Sequence, residues 1–444
     1  MEELIGRELL AEEWNFIEEI ANQAEKYAGF TESEGITLCN RCGTAQIKQT
    51  PSPCSCGKDC FYCVHCLQMG KIKKCSILYH LSESNQFSLL EEPILTWNGK
   101  LSKQQQYASN TIKNAVDTNE TRLIWAVTGA GKTEMLFQGI AHALKQKKRV
   151  CIASPRVDVC LELAPRLQAA FAGVPIAVLH GSMEEPYQYT QLVIATTHQL
   201  MRFKEAFDFL IIDEVDAFPF YIDAGLQFAS NKARKKKSAL IYLSATPNQK
   251  MQLAISKKQL AVTVLPARYH GYPLPVPMLK WVGDWKGAIK KENKGLVYKQ
   301  IRRLVAKKKR FLVFVPHIPY MLQLEGCMKK WFPELQFESV FAADEQRREK
   351  VQAMRNETLD CLLTTTILER GVTFRDIDVL VLGSEDETYT EAALVQIAGR
   401  AGRNKEHPFG EVVYLYYGKT KEMVRAKKQI VKMNKQAVHQ GLLI

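Results

Sequence analysis

The stretch AVTGAGKTE, residues 126–134, joins an apolar run at residues 123–127 to a helical pattern that begins at Met135. Strand, glycine-rich loop and helix in this order favour a phosphate-binding loop, because backbone N–H groups then point at a polyphosphate near the positive end of a helix dipole. Glycine is required within the loop because a side chain would keep the backbone away from phosphate oxygens. Lysine supplies a charge for the outer phosphates and threonine a hydroxyl for Mg²⁺. The predicted nucleotide-binding residues are Thr128, Gly129, Ala130, Gly131, Lys132, Thr133 and Glu134.

Composition narrows the class of protein. The chain has 444 residues, of which 46% are hydrophobic, enough for two to four domains with real cores. It has no apolar run of about 18 residues and its acidic N-terminus lacks a secretory pattern, so we expect a cytosolic protein. The net charge of +13 suggests a polyanionic partner, most simply nucleic acid. Many basic proteins bind no nucleic acid, so charge alone leaves this question open.

Eight of the twelve cysteines lie between residues 39 and 75, which in a cytosolic protein indicates metal binding rather than disulfides. Zn²⁺ prefers four tetrahedral ligands, usually supplied as two closely spaced pairs. With few apolar residues nearby, the metal would supply the folding energy of this module. The favoured set is Cys39, Cys42, Cys63 and Cys66, and a second set of Cys54, Cys56, Cys60 and Cys75 could hold another ion. The number of ions and the pairing stay open.

Apolar and polar patterns divide the rest of the chain. Apolar residues among acids predict an amphipathic helix over residues 2–28. From about residue 95, apolar strands alternate with helical patterns, which is typical of parallel-sheet α/β domains. The proline-rich segment ARYHGYPLPVP interrupts this alternation and is interpreted as a linker. The predicted segments are an N-terminal helical segment (1–35), a zinc module (36–80), a first α/β domain (90–266), the linker (267–277) and a second α/β domain (278–444).

Three further groups of residues carry chemistry. DEVD, residues 213–216, follows an apolar strand, where α/β sheets bind ligands. Asp213 is predicted to hold Mg²⁺, Glu214 to deprotonate the attacking water, and Asp216 to couple this site to its neighbours. Ser244 and Thr246 of the sequence SAT end another strand and are predicted to relay the nucleotide state.

The third group is QIAGRAGR, residues 396–403, which we predict to lie at the start of a helix. Arg400 and Arg403 are three residues apart and would then share a helical face. An arginine that reaches the γ-phosphate from another domain would sense the nucleotide and stabilise the charge of the transition state.

The ordered set TGAGKT, ASPR, TTHQL, DEVD, SAT, FVPH, TTTILERGVTF and QIAGRAGR resembles that of superfamily 2 helicases. This resemblance covers residues 95–444 and implies two RecA-like parallel-sheet domains in tandem, with ATP between them and single-stranded nucleic acid across their top. It implies that Gln105 contacts adenine and that Gly371 belongs to the nucleotide site. The implied catalytic residues are Lys132, Asp213, Glu214, Gln396, Arg400 and Arg403.

The same resemblance implies which residues contact the nucleic-acid strand. Most such contacts go to phosphate and sugar, so we expect little sequence preference. The implied contacts are Ser154, Pro155, Arg156, His180, Gly181, Ser182, Thr196, Thr197, His198, His317, Thr365 and Thr366.

Nearly the whole chain, including the eight-cysteine module and the tail QIVKMN, residues 429–434, resembles the ComFA family of late competence ATPases of Gram-positive bacteria. The motor of that family is related to PriA and RecG. The resemblance implies ATP-driven handling of single-stranded DNA during transformation, with Mg²⁺ and Zn²⁺ as cofactors and other competence proteins as partners. It also implies a cytoplasmic location at the inner face of the membrane, beside a DNA-uptake channel, and it allows oligomerisation.

Two other hypotheses remain open. The chain could be another superfamily 2 enzyme that acts in replication restart, in repair or on RNA, since no motor motif excludes RNA. It could also be a zinc scaffold with an inactive motor, although Lys132, Glu214 and Arg403 argue against this. Comparing ATPase stimulation by single-stranded DNA with stimulation by RNA separates another superfamily 2 enzyme from the transformation motor. Basal ATPase activity tests the zinc-scaffold hypothesis.

Overall fold

The computed structural model describes residues 1–45, 50–51, 54–57, 60–181 and 186–444. By packing, the chain forms two compact units. The first unit contains Met1–Trp125 and Lys132–Val264, and the second contains Ala126–Gly131 and Leu265–Ile444. The cysteine-rich N-terminal segment therefore packs as part of the first unit, while the domain bounds given above stay predictions.

The N-terminal segment is built from short strands, and the predicted helix over residues 2–28 is wrong in its extent. Only Glu18–Gln23 is an α-helix. Leu9 is fully buried in β1, which pairs with β7 in a small antiparallel sheet of order β1-β7-β2, and Leu4, in the turn before β1, is fully buried in the same hydrophobic cluster. The elements are β1 (Glu8–Leu9), α1 (Glu18–Gln23), β2 (Glu25–Ala28), β3 (Phe30–Ser33), β4 (Ile36–Cys39), β5 (Thr50–Pro51), β6 (Phe61–Tyr62) and β7 (Ile77–His80).

The first unit is organised around a seven-stranded sheet of order β10-β11-β9-β12-β13-β8-β14. The strand pairs from β10 through to β8 are parallel. Its inner strands are continuous apolar runs because helices cover both faces of such a sheet. The elements are α2 (Lys103–Thr118), β8 (Thr121–Ala126), α3 (Phe137–Lys145), β9 (Val150–Ser154), α4 (Val157–Ala170), β10 (Ile176–Leu179), β11 (Leu192–Thr196), β12 (Phe207–Ile212), α5 (Ala224–Ala233), β13 (Arg234–Ser244), α6 (Gln249–Ser256) and β14 (Ala261–Leu265).

The second unit contains a six-stranded parallel sheet of order β15-β20-β19-β16-β18-β17, so β15 is an edge strand. All six residues of β19 are buried, as expected for a central strand. The elements are β15 (Met278–Trp281), α7 (Trp285–Lys290), α8 (Leu296–Ala306), β16 (Arg310–Phe314), α9 (Ile318–Trp331), β17 (Phe337–Val340), α10 (Arg347–Arg355), β18 (Cys361–Thr364), β19 (Ile377–Leu382), α11 (Glu391–Ala398), β20 (Val412–Tyr416) and α12 (Lys421–His439).

The predicted pair of parallel α/β sheets is confirmed. Apolar runs expected to be strands, such as residues 150–153, 192–195 and 361–365, lie in β9, β11 and β18. The predicted linker, residues 267–277, has no regular secondary structure, yet Arg268 within it is only 1% exposed. Among the described residues, we find no helix whose length and apolar character would suit a membrane span.

Candidate functional site

The phosphate-binding loop follows β8, whose neighbours in the sheet are β13 and then β12. The carboxyl ends of parallel strands meet at one edge, so within the first unit β13 delivers Ser244 and β12 delivers Asp213 to the edge where β8 ends. Gly129 and Gly131 adopt φ angles of +79° and +73°, a region that favours glycine. Thr133 is buried within the loop, where its hydroxyl is a hard oxygen ligand of the kind that Mg²⁺ prefers.

Two carboxylates follow β12. Burial raises the pKa of Asp213 to about 6, although the nearby Lys132 ammonium opposes this and Glu214 adds to it. Lys132, Asp213 and Glu214 are therefore electrostatic neighbours, as a nucleotide site requires. The Asp213 carboxylate accepts a hydrogen bond of 2.8 Å from the Glu214 amide, and Glu214 adopts a φ of +53°. A non-glycine residue in this region indicates a backbone held by its surroundings, which is frequent at active sites.

Asp216 is buried against the SAT sequence. The Ser244 and Thr246 hydroxyls each donate a hydrogen bond of 2.6 Å to one of its carboxylate oxygens. The Thr246 amide also donates to the Ser244 hydroxyl at 2.9 Å. The structure thus brings together the three residues predicted to couple the site, and the contact gives strand β13 a direct connection to the acidic loop.

Gln105, the implied adenine contact, lies in the first turn of α2 and is 5% exposed. Its side-chain oxygen accepts a hydrogen bond of 2.8 Å from the Ser102 amide, and the Ser102 side chain caps the helix in return. This capping box stabilises the start of α2 and fixes the orientation of the glutamine amide. Its role toward adenine stays a prediction.

The arginines of QIAGRAGR do not lie at a helix start, so that prediction is wrong. Helix α11 ends at Ala398 and the chain then turns, with Gly402 at a φ of +62°. Arg400 is 1% exposed and its Nε donates to the Glu369 carbonyl at 3.1 Å, whereas Arg403 Nε donates to the Gly399 carbonyl at 3.0 Å. The two arginines are therefore held by different backbone segments instead of one helical face. We call residues 399–403 the arginine turn.

Close packing explains why residue 399, the C-cap of α11, is glycine. A Cβ at this position would lie 2.0 Å from the hydroxyl oxygen of Thr128, so only glycine fits against the first half of the phosphate loop. Gln396, one turn earlier, is 4% exposed, and its amide nitrogen has no hydrogen-bond partner among the described residues. Gly371, the other implied nucleotide residue of the second unit, adopts a φ of +74°.

Sequence reasoning missed Arg268, which it assigned to the linker. Its guanidinium donates to the Gly399 carbonyl at 3.2 Å and also to the Gly402 carbonyl. Its side-chain stem lies 3.6 Å from where a Cβ on Gly129 would stand. Burial, with a further contribution from Arg403, lowers the pKa of Arg268 to about 9. No local signal in the sequence marks this arginine, because its partners lie about 130 residues away along the chain.

The residues implied to contact the nucleic-acid strand, the strand-contact residues, fall into two groups by solvent exposure. Ser154, Pro155, Thr196 and Thr197 are buried, so their side chains pack within the sheet edge. The partly or fully exposed members are Arg156, His180, Gly181, His198, His317, Thr365 and Thr366. Ser182 lies outside the described residues.

His317 follows β16 and is held by a carboxylate. Its Nε2 lies 3.1 Å from a carboxylate oxygen of Asp386, which follows the neighbouring strand β19. Thr365 and Thr366 follow β18 on the other side of β16. The three implied contacts of the second unit therefore share one sheet edge.

The eight cysteines form two groups, the same two sets that the sequence favoured. The sulfur atoms within each group lie within 4.8 Å of one another. Four sulfurs around a tetrahedral Zn²⁺ at about 2.3 Å would be about 3.8 Å apart. We call Cys39, Cys42, Cys63 and Cys66 the inner cluster and Cys54, Cys56, Cys60 and Cys75 the outer cluster.

Both groups fit zinc. In the inner cluster, Cys39 and Cys66 are 3.7 Å apart and Cys42 and Cys63 are 3.6 Å apart, measured between sulfur atoms. In the outer cluster, Cys75 lies 3.5 Å from Cys54 and 3.8 Å from Cys60. Hydrogen bonds from neighbouring thiols lower the pKa of Cys42, which favours the thiolate that binds metal.

His65 connects the inner cluster to the motor sheet. Its Nε2 lies 2.9 Å from the carboxylate of Asp223, the N-cap residue of α5. The nearby Cys42 thiol and the Asp223 carboxylate raise the pKa of His65 to about 9, against the opposing effect of burial, so the imidazolium pairs with Asp223. A second buried contact joins Arg41 to Glu13 and to the Met69 carbonyl, which lies 2.9 Å from the guanidinium.

Three family models match the chain. Competence protein ComFA N-terminal domain matches residues 1–80. Type III restriction enzyme, res subunit, matches residues 98–249, and Helicase conserved C-terminal domain matches residues 296–405.

The chain is similar over nearly its full length to two curated proteins. Competence protein ComFA of Bacillus subtilis (strain 168) is 45% identical over 444 residues, covering 98% of this chain and 95% of that protein. Competence protein ComFA of Streptococcus pneumoniae (strain ATCC BAA-255 / R6) is 36% identical over 424 residues, covering 95% of each. A structure of RecG bound to a three-way DNA junction is 18% identical with a TM-score of 0.53 and covers 78% of this chain and 47% of RecG. This last likeness concerns the fold alone, and it agrees with two RecA-like sheets in tandem.

Proposed function

This chain belongs to the competence protein ComFA family, and from that membership we propose that it hydrolyses ATP to move single-stranded DNA during natural transformation. At a coarser level it is an ATP-hydrolysing helicase that functions in competence. The observation that supports the proposal best is the grouping of Lys132, Asp213 and Glu214 in the first unit, at the edge of the sheet where β8, β12 and β13 end.

Each residue of the proposed ATP site has a distinct task. The loop amides and Lys132 bind the phosphates of ATP. The Thr133 hydroxyl and the Asp213 carboxylate are the oxygen donors that would hold Mg²⁺, which neutralises phosphate charge when bound. Glu214 orients the attacking water and takes its proton. Its fixed backbone favours this task because a general base must be positioned before it acts.

In the second unit, the arginine turn supplies positive charge. Arg400 and Arg403 would stabilise the charge that develops on the γ-phosphate, and Arg268 would hold the carbonyls of the turn in place. Loss of that phosphate would then remove the ligand of the turn and release it. A cycle of binding and release is the physical requirement for moving along a strand.

Single-stranded DNA is the proposed track. The exposed members of the strand-contact set lie at the carboxyl edges of the two sheets, and the chain has a net charge of +13. Other competence proteins, and a position at the inner face of the membrane beside a DNA channel, belong to the same proposal. Zn²⁺ would be held by the inner and outer clusters, whose sulfur spacing it fits.

The test compares ATPase rates of the full chain without nucleic acid, with single-stranded DNA and with RNA of equal length. We expect stimulation by DNA. Glu214→Gln should bind ATP but turn over at least about 100-fold more slowly, because a general base contributes about 10²–10⁴-fold. Glu205→Gln, at an exposed glutamate outside the site, is the matched control. Near-normal turnover by Glu214→Gln would contradict its role as the base.

Stimulation by RNA alone would favour the second candidate, a superfamily 2 enzyme that acts on RNA. No motor motif excludes RNA, so the RNA arm of the assay tests this candidate directly. Absence of basal hydrolysis in the parent protein, together with intact zinc, would instead favour a scaffold with an inactive motor.

A further inference from the structure

A groove with a volume of about 650 Å³ lies in the second unit between the edge strand β15 and helix α12. Three aliphatic residues and five lysines line it, and no acidic residue does. The aliphatic residues are half-buried, whereas four of the five lysines are exposed. We call this feature the lysine groove, and its lining residues are Leu279, Lys419, Val424, Lys427, Lys428, Val431, Lys432 and Lys435.

The pattern of α12 creates one wall of the groove. Met423, Ala426, Ile430, Met433 and Ala437 recur at helical spacing and are buried, so this face anchors the helix to the unit. Lysines 428, 432 and 435 recur at the same spacing on another face. At 1.5 Å per residue they span about 10 Å, roughly the length of three phosphates in a stacked strand.

The charge of the groove is uncompensated. Within the described part of the chain, none of its five lysines forms an ion pair. Elsewhere in the same unit, Lys307 pairs with Asp378 and Glu411, and Lys309 pairs with Asp376. Neighbouring like charges repel each other, so a polyanion that lies along the groove would be bound favourably.

An aromatic ring stands at the strand side of the groove. Side chains of a strand alternate between faces, so Trp281 shares the face of Leu279, whereas Lys280 points to the other face and bonds Gln300 at 3.1 Å. Trp281 is 59% exposed and lies opposite Tyr416 in the sheet. An exposed indole beside a basic groove is a platform on which a nucleic-acid base can stack.

We propose that the lysine groove is a second binding site for single-stranded DNA, separate from the strand-contact residues of the motor edge. This inference rests on the proposed function, since it assumes that DNA is the track. The lysines contact phosphates along α12 and Trp281 stacks on a base at the end of the groove. A flat anionic bilayer fits less well because the half-buried aliphatic side chains lie behind the exposed lysines and would not reach it.

The experiment measures the Kd of the full chain for oligothymidylate at several salt concentrations. Lys428→Glu with Lys432→Glu should weaken binding at least tenfold at low salt and reduce the salt slope by about 1.4, because each phosphate contact on a single strand contributes about 0.7. Trp281→Ala should weaken binding severalfold with an unchanged salt slope. Basal ATPase without DNA should not change.

The matched control is Lys257→Glu with Lys258→Glu, two exposed lysines outside the groove with the same change in charge. An equal loss of affinity in the control would show that net charge alone is responsible and would overturn the proposal. So would a variant that binds oligothymidylate like the parent but no longer binds vesicles containing anionic lipid, since the groove would then be a bilayer site.

The proposed function and the lysine-groove proposal can fail separately. If the parent protein neither binds oligothymidylate nor responds to it in the ATPase assay, the proposed function fails. If the parent binds and responds while the groove variants are indistinguishable from it, the lysine groove is wrong and the motor proposal stands.

Discussion

The inner and outer clusters have the same ligands and opposite surroundings. All four cysteines of the inner cluster are 0% exposed and share one hydrophobic core with Leu210 of strand β12 and Leu226 of helix α5. In the outer cluster, Cys75 is exposed and Cys54 and Cys56 are only half-buried. Identical coordination chemistry can therefore serve two purposes. A metal in the inner cluster would stabilise part of the motor, and one in the outer cluster would stabilise only its own loops.

Specific contacts pack the inner cluster against helix α5 of the motor. A Cβ on Gly43, next to Cys42, would lie 2.5 Å from the Phe228 ring of α5, so only glycine allows the knuckle to approach the helix. A Cβ on Gly225 would likewise lie 2.4 Å from the His65 ring. The Asp223 amide donates a backbone hydrogen bond to the Pro219 carbonyl, and in the preceding turn the Ala217 amide donates to the Glu214 carbonyl. The cluster is thus packed directly on the segment that follows the acidic loop.

Among the substitutions considered, we expect Cys63→Ser to have the largest effect on zinc content and on the stability of the first unit. Loss of one inner ligand should release one zinc ion and destabilise the first unit by at least about 3 kcal/mol, since structural zinc contributes about 10–16 kcal/mol of binding free energy in small domains. Hydrogen exchange should increase in β12 and α5 as well as in the cysteine-rich segment, because they share a core. Metal content and exchange on one preparation measure both quantities.

Cys327→Ser is the control for this change, because Cys327 is a buried cysteine outside both clusters. It should keep its zinc. If Cys63→Ser loses zinc while hydrogen exchange in β12 and α5 is unchanged, the cysteine-rich segment folds separately from the motor. The inner cluster would then stabilise the motor no more than the outer cluster does.

A smaller effect is expected for His65→Ala. Zinc should be retained, but the first unit should lose about 1–2 kcal/mol because a hydrogen bond to a charged partner is removed. A double-mutant cycle with Asp223→Asn isolates the contact, since asparagine keeps the helix cap while removing the charge. His142→Ala is the control, because His142 also bonds an aspartate, Asp117, at 2.7 Å but at an exposed site. A coupling energy no larger than that of His142 with Asp117 would show that His65 contributes nothing to the connection.

The sequence was a better guide to the residues that carry chemistry than to the segments that pack against each other. The phosphate loop, the DEVD loop and the two sets of cysteines are local patterns, since spacing along the chain determines which atoms can meet. The short N-terminal strands were missed because β1 and β2 form only by pairing with β7, about fifty residues or more away. The place of Arg400 was missed for a similar reason, since its partner is the distant Glu369 carbonyl. Arg268 and His65 act through contacts between distant segments, and no local pattern specifies them.

The smallest effect on the motor is expected for Cys75→Ser. The thiol is exposed and lies in the outer cluster, so its loss should release at most one zinc ion and loosen only the loops that carry Cys54 and Cys60. Hydrogen exchange in β12 and α5, ATP binding and basal hydrolysis should equal those of the parent, because none of the contacts that join the segment to α5 involves this cluster. Zinc stoichiometry and exchange measured beside Cys63→Ser make the comparison direct. A loss of motor stability as large as that of Cys63→Ser would show that the two clusters form one cooperative unit. The exposure of the ligands would then not predict how much of the protein each metal ion stabilises.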